Sequence, residues 1–284
     1  MGIAAAYPVD AVAKPGLAVA NPSWGREFAR CGRETTSCRR ESHTCGREIP
    51  VRCPICYTLP KGGHTMNNQP FFASWSGGKD SALALHRAIQ NGGRPERLLT
   101  MFDSGGDRSK SHAVSEAIIR EQANAIGIPL VIRRSGWTDY REQFLSGLDE
   151  MKVGGIQTGV FGDIDLEDHR KWVADTCAER GIEAVHPLWG MGRTEVVRSF
   201  LDAGFRATVV VGHDERFPAE WVGRTFDHQL IRDMESLGID PCGEAGEFHT
   251  LVTDGPVFKD PLRLNQADLL KRDGYSFARM ELSE

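Results

Sequence analysis

Residues 76–81 read Ser76-Gly77-Gly78-Lys79-Asp80-Ser81, a run whose chemistry suits an anion. Two adjacent glycines let the main chain turn sharply, so successive N–H groups can converge on one oxyanion. A helical pattern starts at Ser81, and its positive end would face the same point. Lys79 adds a full charge, and Ser76 and Ser81 add hydroxyl donors. Asp80 suits such a place if a cation accompanies the phosphates, and magnesium is the natural candidate. A Walker A loop is excluded, because Ala73 stands where its first glycine is required and Asp80 where its Ser or Thr is required. The Rossmann G-x-G-x-x-G is absent as well.

A second dense polar stretch is Cys242-Gly243-Glu244-Ala245-Gly246-Glu247-Phe248-His249-Thr250, followed by the apolar pair Leu251-Val252. Its glycines argue against a helix. Glu244, Glu247 and His249 could grip an ammonium ion, an amine or a metal, or move protons; a hairpin of solvated charges has the same composition. Cys242 reads as a buried structural thiol rather than a reactive one. His213-Asp214-Glu215 follows an apolar run, the place where open α/β sheets bind ligands, and reads equally as a solvated loop.

These stretches need elements to hold them. Short apolar runs at 71–75, 98–102, 128–132, 156–161, 182–185 and 207–211 alternate with helical patterns at 81–90, 112–126, 139–151, 166–180 and 194–203, several of them closed by glycine. That alternation predicts βαβ units and a parallel sheet covered on both faces, with the loop at 76–81 joining the first strand to the first helix. The order breaks down after Gly212. The expected organisation is therefore a nucleotide-binding domain at 66–212 and a smaller α/β unit at 213–284.

The first 65 residues differ in kind. Trp24-Gly25-Arg26-Glu27, Cys31-Gly32-Arg33-Glu34, Cys38-Arg39-Arg40-Glu41 and Cys45-Gly46-Arg47-Glu48 recur every seven residues. A coiled coil is excluded by one apolar position per heptad and by the glycines. Cys53 and Cys56 have zinc-knuckle spacing but lack a second pair. A translated DNA repeat would give this pattern, and codons for Lys61-Gly62-Gly63 can contain a bacterial ribosome-binding sequence ahead of Met66. The expectation is a disordered or spurious extension over 1–65, with translation starting at Met66. This segment holds nine Lys/Arg and five Asp/Glu; the remaining 25 and 34 give residues 66–284 a net charge of −9. An acidic body argues against broad nucleic-acid binding. No apolar run is long enough to span a bilayer, and no secretory signal is visible, so a cytoplasmic protein is expected.

The loop at 76–81 resembles the PP-loop signature of the ATP pyrophosphatases. The stretch 243–250 is similar to the Gly-Glu-x-Gly-Glu-Phe/Tyr-His-Thr segment of the diphthine–ammonia ligase family within that group. Gly162-Asp163-Ile164, Arg170, Trp172, Pro187-Leu188-Trp189, Trp221-Val222-Gly223-Arg224 and Asp227 resemble other blocks of the same family. His112, with Ser111 and Val114, resembles a His at the start of its second helix. The resemblance implies a Rossmann-like parallel sheet and ATP bound by Ser76, Gly77, Gly78, Lys79, Asp80, Ser81 and His112. It also implies Mg2+ at Asp80, and catalysis by Lys79, Glu244, Glu247 and His249. The family's named reaction amidates a modified histidine of a translation elongation factor, using ATP and ammonium. The implied activity is an amide-forming ligase that adenylates a carboxyl-type substrate, releases AMP and pyrophosphate, and transfers the acyl group to ammonia or an amine. A homodimer is allowed. The alternatives are a PP-loop tRNA thiolase, whose paired cysteines could only be Cys53 and Cys56, and a non-catalytic nucleotide-binding protein.

Overall fold

A computed structural model describes residues 65–105, 114–136 and 138–283. His112 and the whole cysteine-rich repeat lie outside the described residues, as does nearly all of the segment expected to be disordered or spurious.

The first strand shows why a sheet forms here. In β1 (Pro70–Ser74), Phe71 and Phe72 are both fully buried but point to opposite faces, as the two-residue period of a strand requires. Phe71 and Ala73 enter one core with helices α1 (Lys79–Gln90) and α2 (Glu116–Ile126). Phe72 enters the other, with α3 (Tyr140–Val153) and α4 (Glu167–Ala178), where its ring meets Phe161 edge-on at 5.8 Å. The sheet is completed by β2 (Arg94–Asp103), β3 (Leu130–Ser135), β4 (Thr158–Val160) and β5 (Glu183–Val185). All pairs are parallel, in the order β3-β2-β1-β4-β5. This is the α/β, Rossmann-like fold expected from the alternation of runs. The order reverses at β1, so the crevice beyond the C-terminal ends of β1 and β4 is the topological switch point, where such sheets bind ligands.

After α5 (Arg193–Asp202) the chain builds a different sheet. Strand β6 (Arg206–His213) pairs antiparallel with β7 (Phe248–Asp254) and β9 (Tyr275–Leu282), and β9 with β8 (Leu264–Arg272), in the order β7-β6-β9-β8. The run at 207–211 is thus a central strand of the second sheet, not a sixth parallel strand, and the division expected at 212 falls inside β6. The reason is physical: a strand flanked on both sides and buried on both faces is apolar throughout, whether its neighbours run parallel or antiparallel. Helix α6 (His228–Ser236) sends Leu230, Ile231 and Met234 into the same core as Phe71, its first turn capped by the Asp227 carboxylate accepting from the Leu230 N–H at 2.8 Å.

The two sheets meet at Gln122. Its side chain, fully buried on α2, donates from Nε2 to Gly77 O at 3.1 Å and to Val252 O at 2.7 Å, and accepts from Trp75 Nε1 at 3.0 Å. One amide therefore joins the end of β1, the loop after it and β7. Among the described residues no helix is long and apolar enough to cross a membrane.

Candidate active site

The loop after β1 is held from below and from the side. Thr100 Oγ1 donates to Trp75 O at 2.7 Å, and the Val252 N–H donates to Gly77 O at 2.9 Å. Gly77 has φ +81°, and a Cβ there would lie 2.6 Å from Gln122 Oε1, so both backbone and space require glycine. Helix α1 then opens at Gly78, which has no side chain to cap it, and a helix start of this kind can receive an anion on its first-turn N–H groups. The Lys79 N–H is taken by Thr250 Oγ1 of β7 at 3.1 Å. The Ser76 and Ser81 hydroxyls sit 3.1 Å apart; Ser76 Oγ accepts from the Gly78 N–H and Ser81 Oγ donates to Gly78 O.

Lys79 is buried, with Nζ 2.7 Å from Asp80 Oδ2 and 5.8 Å from the centre of the Phe248 ring. Burial alone would depress its pKa, but the neighbouring Asp80, Cys242 and Glu244 outweigh it and hold the ammonium well above the usual lysine range. Burial pushes the Asp80 carboxyl up, with Lys79 opposing. Its Oδ1 is buried with no hydrogen-bond partner among the described residues, a costly state that a ligand would relieve.

The turn before β7 brings Cys242, Gly243, Glu244 and Gly246 to the same cleft, together with Phe248, His249 and Thr250. Burial, followed by repulsion from Asp80, raises the Glu244 carboxyl from 4.5 to about 8. Burial likewise drives the Cys242 thiol upward, so it stays neutral. Glu247 behaves differently from the expectation. Its carboxylate accepts the Ala245 N–H at 3.0 Å within its own turn, and it is not among the residues lining the cleft. His213 is also away from the cleft, with its ring against Tyr275 at 4.8 Å and its Nδ1 accepting from the Glu215 N–H.

The opposite wall comes from the end of β4. A Cβ on Gly162 would stand 3.1–3.2 Å from main-chain atoms of Asp80 and Ser81, so glycine lets β4 abut the start of α1. Asp163 follows it into the cleft, its carboxylate 3.1 Å from His186 Nδ1. Burial, with Asp163 next, pushes the Tyr140 phenol up. Leu99, Thr100 and Met101 of β2 line the cleft too, and its volume is about 210 Å³. Family-like Arg170 stacks over the Trp189 ring at 4.3 Å, outside this lining. Gln122, Tyr140, Arg193 and Asp240 are parts of the site or its supports that single-residue reading misses, since each is an isolated side chain in an ordinary stretch.

The description "diphthamide synthase N-terminal domain" matches residues 71–184, and "diphthamide synthase C-terminal domain" matches residues 193–279. The chain belongs to the diphthamide synthase family. The seam between the two matches runs from within β5 to the start of α5, just before the change of sheet. A relative from Homo sapiens named diphthine–ammonia ligase is 24% identical over 235 residues, which cover 72% of this chain and 85% of the relative. A relative of the same name from Danio rerio is 24% identical over 240 residues, 72% of this chain and 89% of the relative. A solved chain described as a predicted subunit of tRNA methyltransferase, from Methanocaldococcus jannaschii, aligns at 15% identity and a TM-score of 0.39 over 66% of this chain and 98% of that one. The fold assignment rests on the strand order itself, not on that alignment.

The residues that could hold a cation lie between the anion loop and the 242–244 turn. Donor atoms of Asp80, Cys242 and Glu244 lie within 4.8 Å of one another. The partnerless Asp80 Oδ1 is the kind of hard oxygen ligand magnesium takes, usually alongside phosphate oxygens and water. The neutral Cys242 thiol is not a ligand for so hard an ion.

Proposed function

We propose that this chain is an ATP-dependent ligase that adenylates a carboxyl-type substrate of the diphthine class and transfers the acyl group to ammonia or an amine. AMP and pyrophosphate are the products. One observation carries the reading: the glycine-led start of α1, with Lys79, and the raised carboxyl of Glu244 line one cleft. An anion site and a proton acceptor thus face the same reacting centre.

The triphosphate lies on residues 76–81, with the α1 amides and Lys79 opposite its negative charge. A carboxylate oxygen of the substrate attacks the α-phosphorus, and the bond to the bridging oxygen of the β-phosphate breaks, so that oxygen leaves with pyrophosphate. Lys79 and the loop amides stabilise the charge that develops there. Magnesium, held by Asp80 with the phosphate oxygens, would share that neutralisation. Ammonium or an alkylammonium then gives a proton to Glu244, whose pKa of about 8 suits a base working near neutrality. The freed amine attacks the acyl carbon and AMP departs. His249 lines the same wall and is assigned the second place in that proton path. Glu247 is given no chemical role, because it does not line the cleft and its carboxylate accepts the Ala245 N–H of its own turn.

The names of the relatives support ammonia as the nitrogen source and a carboxyl acceptor. Among the described residues nothing at the cleft favours sulfur transfer: Cys242 stays protonated there, and Cys177 is buried on α4. The test is turnover with ATP, ammonium chloride and a diphthine-bearing protein, followed by nucleotide chromatography. AMP formed only when ammonium and acceptor are both present, in step with amide, supports the proposal. ADP as product overturns it.

A further inference from the structure

Arg193 is the first residue of α5, a poor place for a cation, because the start of a helix carries partial positive charge. Local helix preference therefore does not account for it, whereas its contacts do. Nε and Nη2 meet both oxygens of Asp165, at 2.7 and 3.1 Å, while Nη1 reaches Asp240 Oδ2 at 2.6 Å. Asp240 in turn accepts two main-chain donors: the Cys242 N–H at 2.9 Å on Oδ1 and the Glu244 N–H at 3.2 Å on Oδ2. One guanidinium thus ties the loop after β4, the start of α5 and the turn that presents Glu244 to the cleft. The Asp240 carboxylate is 14% exposed, so its bonds to the turn are sheltered from water.

We infer that Arg193, acting through Asp240, is a positioning residue for Glu244; this rests on the reading above that Glu244 faces the reacting centre. Two carboxylates, Asp165 and Asp240, meet at this guanidinium, and without it their mutual repulsion would loosen the turn. Arg193 supplies the compensating charge, and its planar fork is what allows two carboxylates to be held at once. Lysine, a single point charge on a flexible stem, cannot reproduce that geometry. A base displaced by about 1 Å can lose up to roughly hundred-fold in rate.

The test uses Arg193→Gln, Arg193→Lys and Glu244→Gln in the full chain, alone and as the double variant R193Q/E244Q, with thermal unfolding recorded for each. Arg193→Gln is expected to lower kcat for amide formation by about ten- to hundred-fold while KM for ATP stays within about two-fold. Arg193→Lys should lose an intermediate amount. In the Glu244→Gln background, Arg193→Gln should add almost nothing, because the group it positions has already been removed. Hydrogen exchange followed by mass spectrometry should show faster exchange in the peptide containing residues 242–244 of Arg193→Gln, with α1 and β1 unchanged. Losses that simply add in the double variant, or unchanged exchange at 242–244, would overturn the assignment of Arg193 and leave Glu244 standing. If Glu244→Gln alone forms amide at the normal rate, Glu244 has no part in the reaction, and the Arg193 inference falls with it. A variant that melts far below the parent chain would make Arg193 a folding residue and count against positioning.

Discussion

Replacing Glu244 by Gln removes a titration that works against the fold. The folded chain holds the Glu244 proton to about pH 8, whereas an exposed glutamate releases it near 4.5. Below pH 4.5 the carboxyl is protonated in both the folded and the unfolded chain, and ionisation takes nothing from stability. Between 4.5 and 8 the unfolded chain gives up the proton while the folded chain keeps it, so stability falls as pH rises. Above pH 8 both are ionised, and the full penalty of a buried, poorly compensated carboxylate remains. At about 1.4 kcal/mol for each pH unit of displacement, the penalty reaches an upper bound of about 5 kcal/mol. The substituted amide keeps a polar group in the same partly buried place, so about 2–4 kcal/mol of recovery is expected. Urea unfolding of the ligand-free parent and Glu244→Gln chains across this pH range measures it directly. The variant should be the more stable above pH 8, and the two curves should converge toward pH 4.5. A variant equally stable or weaker at alkaline pH would refute the claim that Glu244 sits in a strained, function-directed setting.

Lys79→Ala should weaken ATP binding roughly ten- to hundred-fold, as expected for one lost charge-assisted contact of about 1.5–3 kcal/mol; unchanged affinity by calorimetry would remove the loop from the nucleotide site. Gln122→Leu leaves Trp75 Nε1 and Val252 O without the partners they now have, and should destabilise the fold by about 2–6 kcal/mol at one to three per orphaned group. A urea midpoint close to the parent's would show that this amide is not the pin between loop and second sheet. A chain beginning at Met66 should fold and bind ATP as the full chain does, since the Met66 side chain is buried and its N–H already meets Asn91 O at 2.9 Å. Lost binding, or a peptide from residues 1–65 in the native protein by mass spectrometry, would count against that start.

The loop at 76–81 is legible because its chemistry is contiguous: glycines, lysine and the helix start must be neighbours in sequence to be neighbours in space. The role of Glu244 is only half legible. Composition places two glutamates near the cleft, but which one faces it depends on Asp240 gripping the turn and on Arg193 gripping Asp240, contacts spanning 47 residues for the second. Glu247 looks equivalent in the sequence and folds back on Ala245 instead. Strand β6 is readable as a strand but not as a member of the second sheet, because a doubly buried strand carries no mark of its neighbours' direction. The hairpin β8–β9 escapes a periodicity reading for the opposite reason. Strand β8 is exposed along almost its whole length, so it has no apolar alternation. Its Asp273-Gly274 turn, with φ +53° and +79°, is nevertheless a readable hairpin signal.

Carboxyl adenylation is the centre of the account, and oxygen transfer tests it most directly. The acceptor carboxylate is labelled with oxygen-18, turned over with ATP and ammonium in unlabelled water, and the AMP is weighed by mass spectrometry. If the carboxylate attacks the α-phosphorus, AMP carries one heavy oxygen and pyrophosphate carries none. Unlabelled AMP, or the label in any other phosphate, would contradict the account.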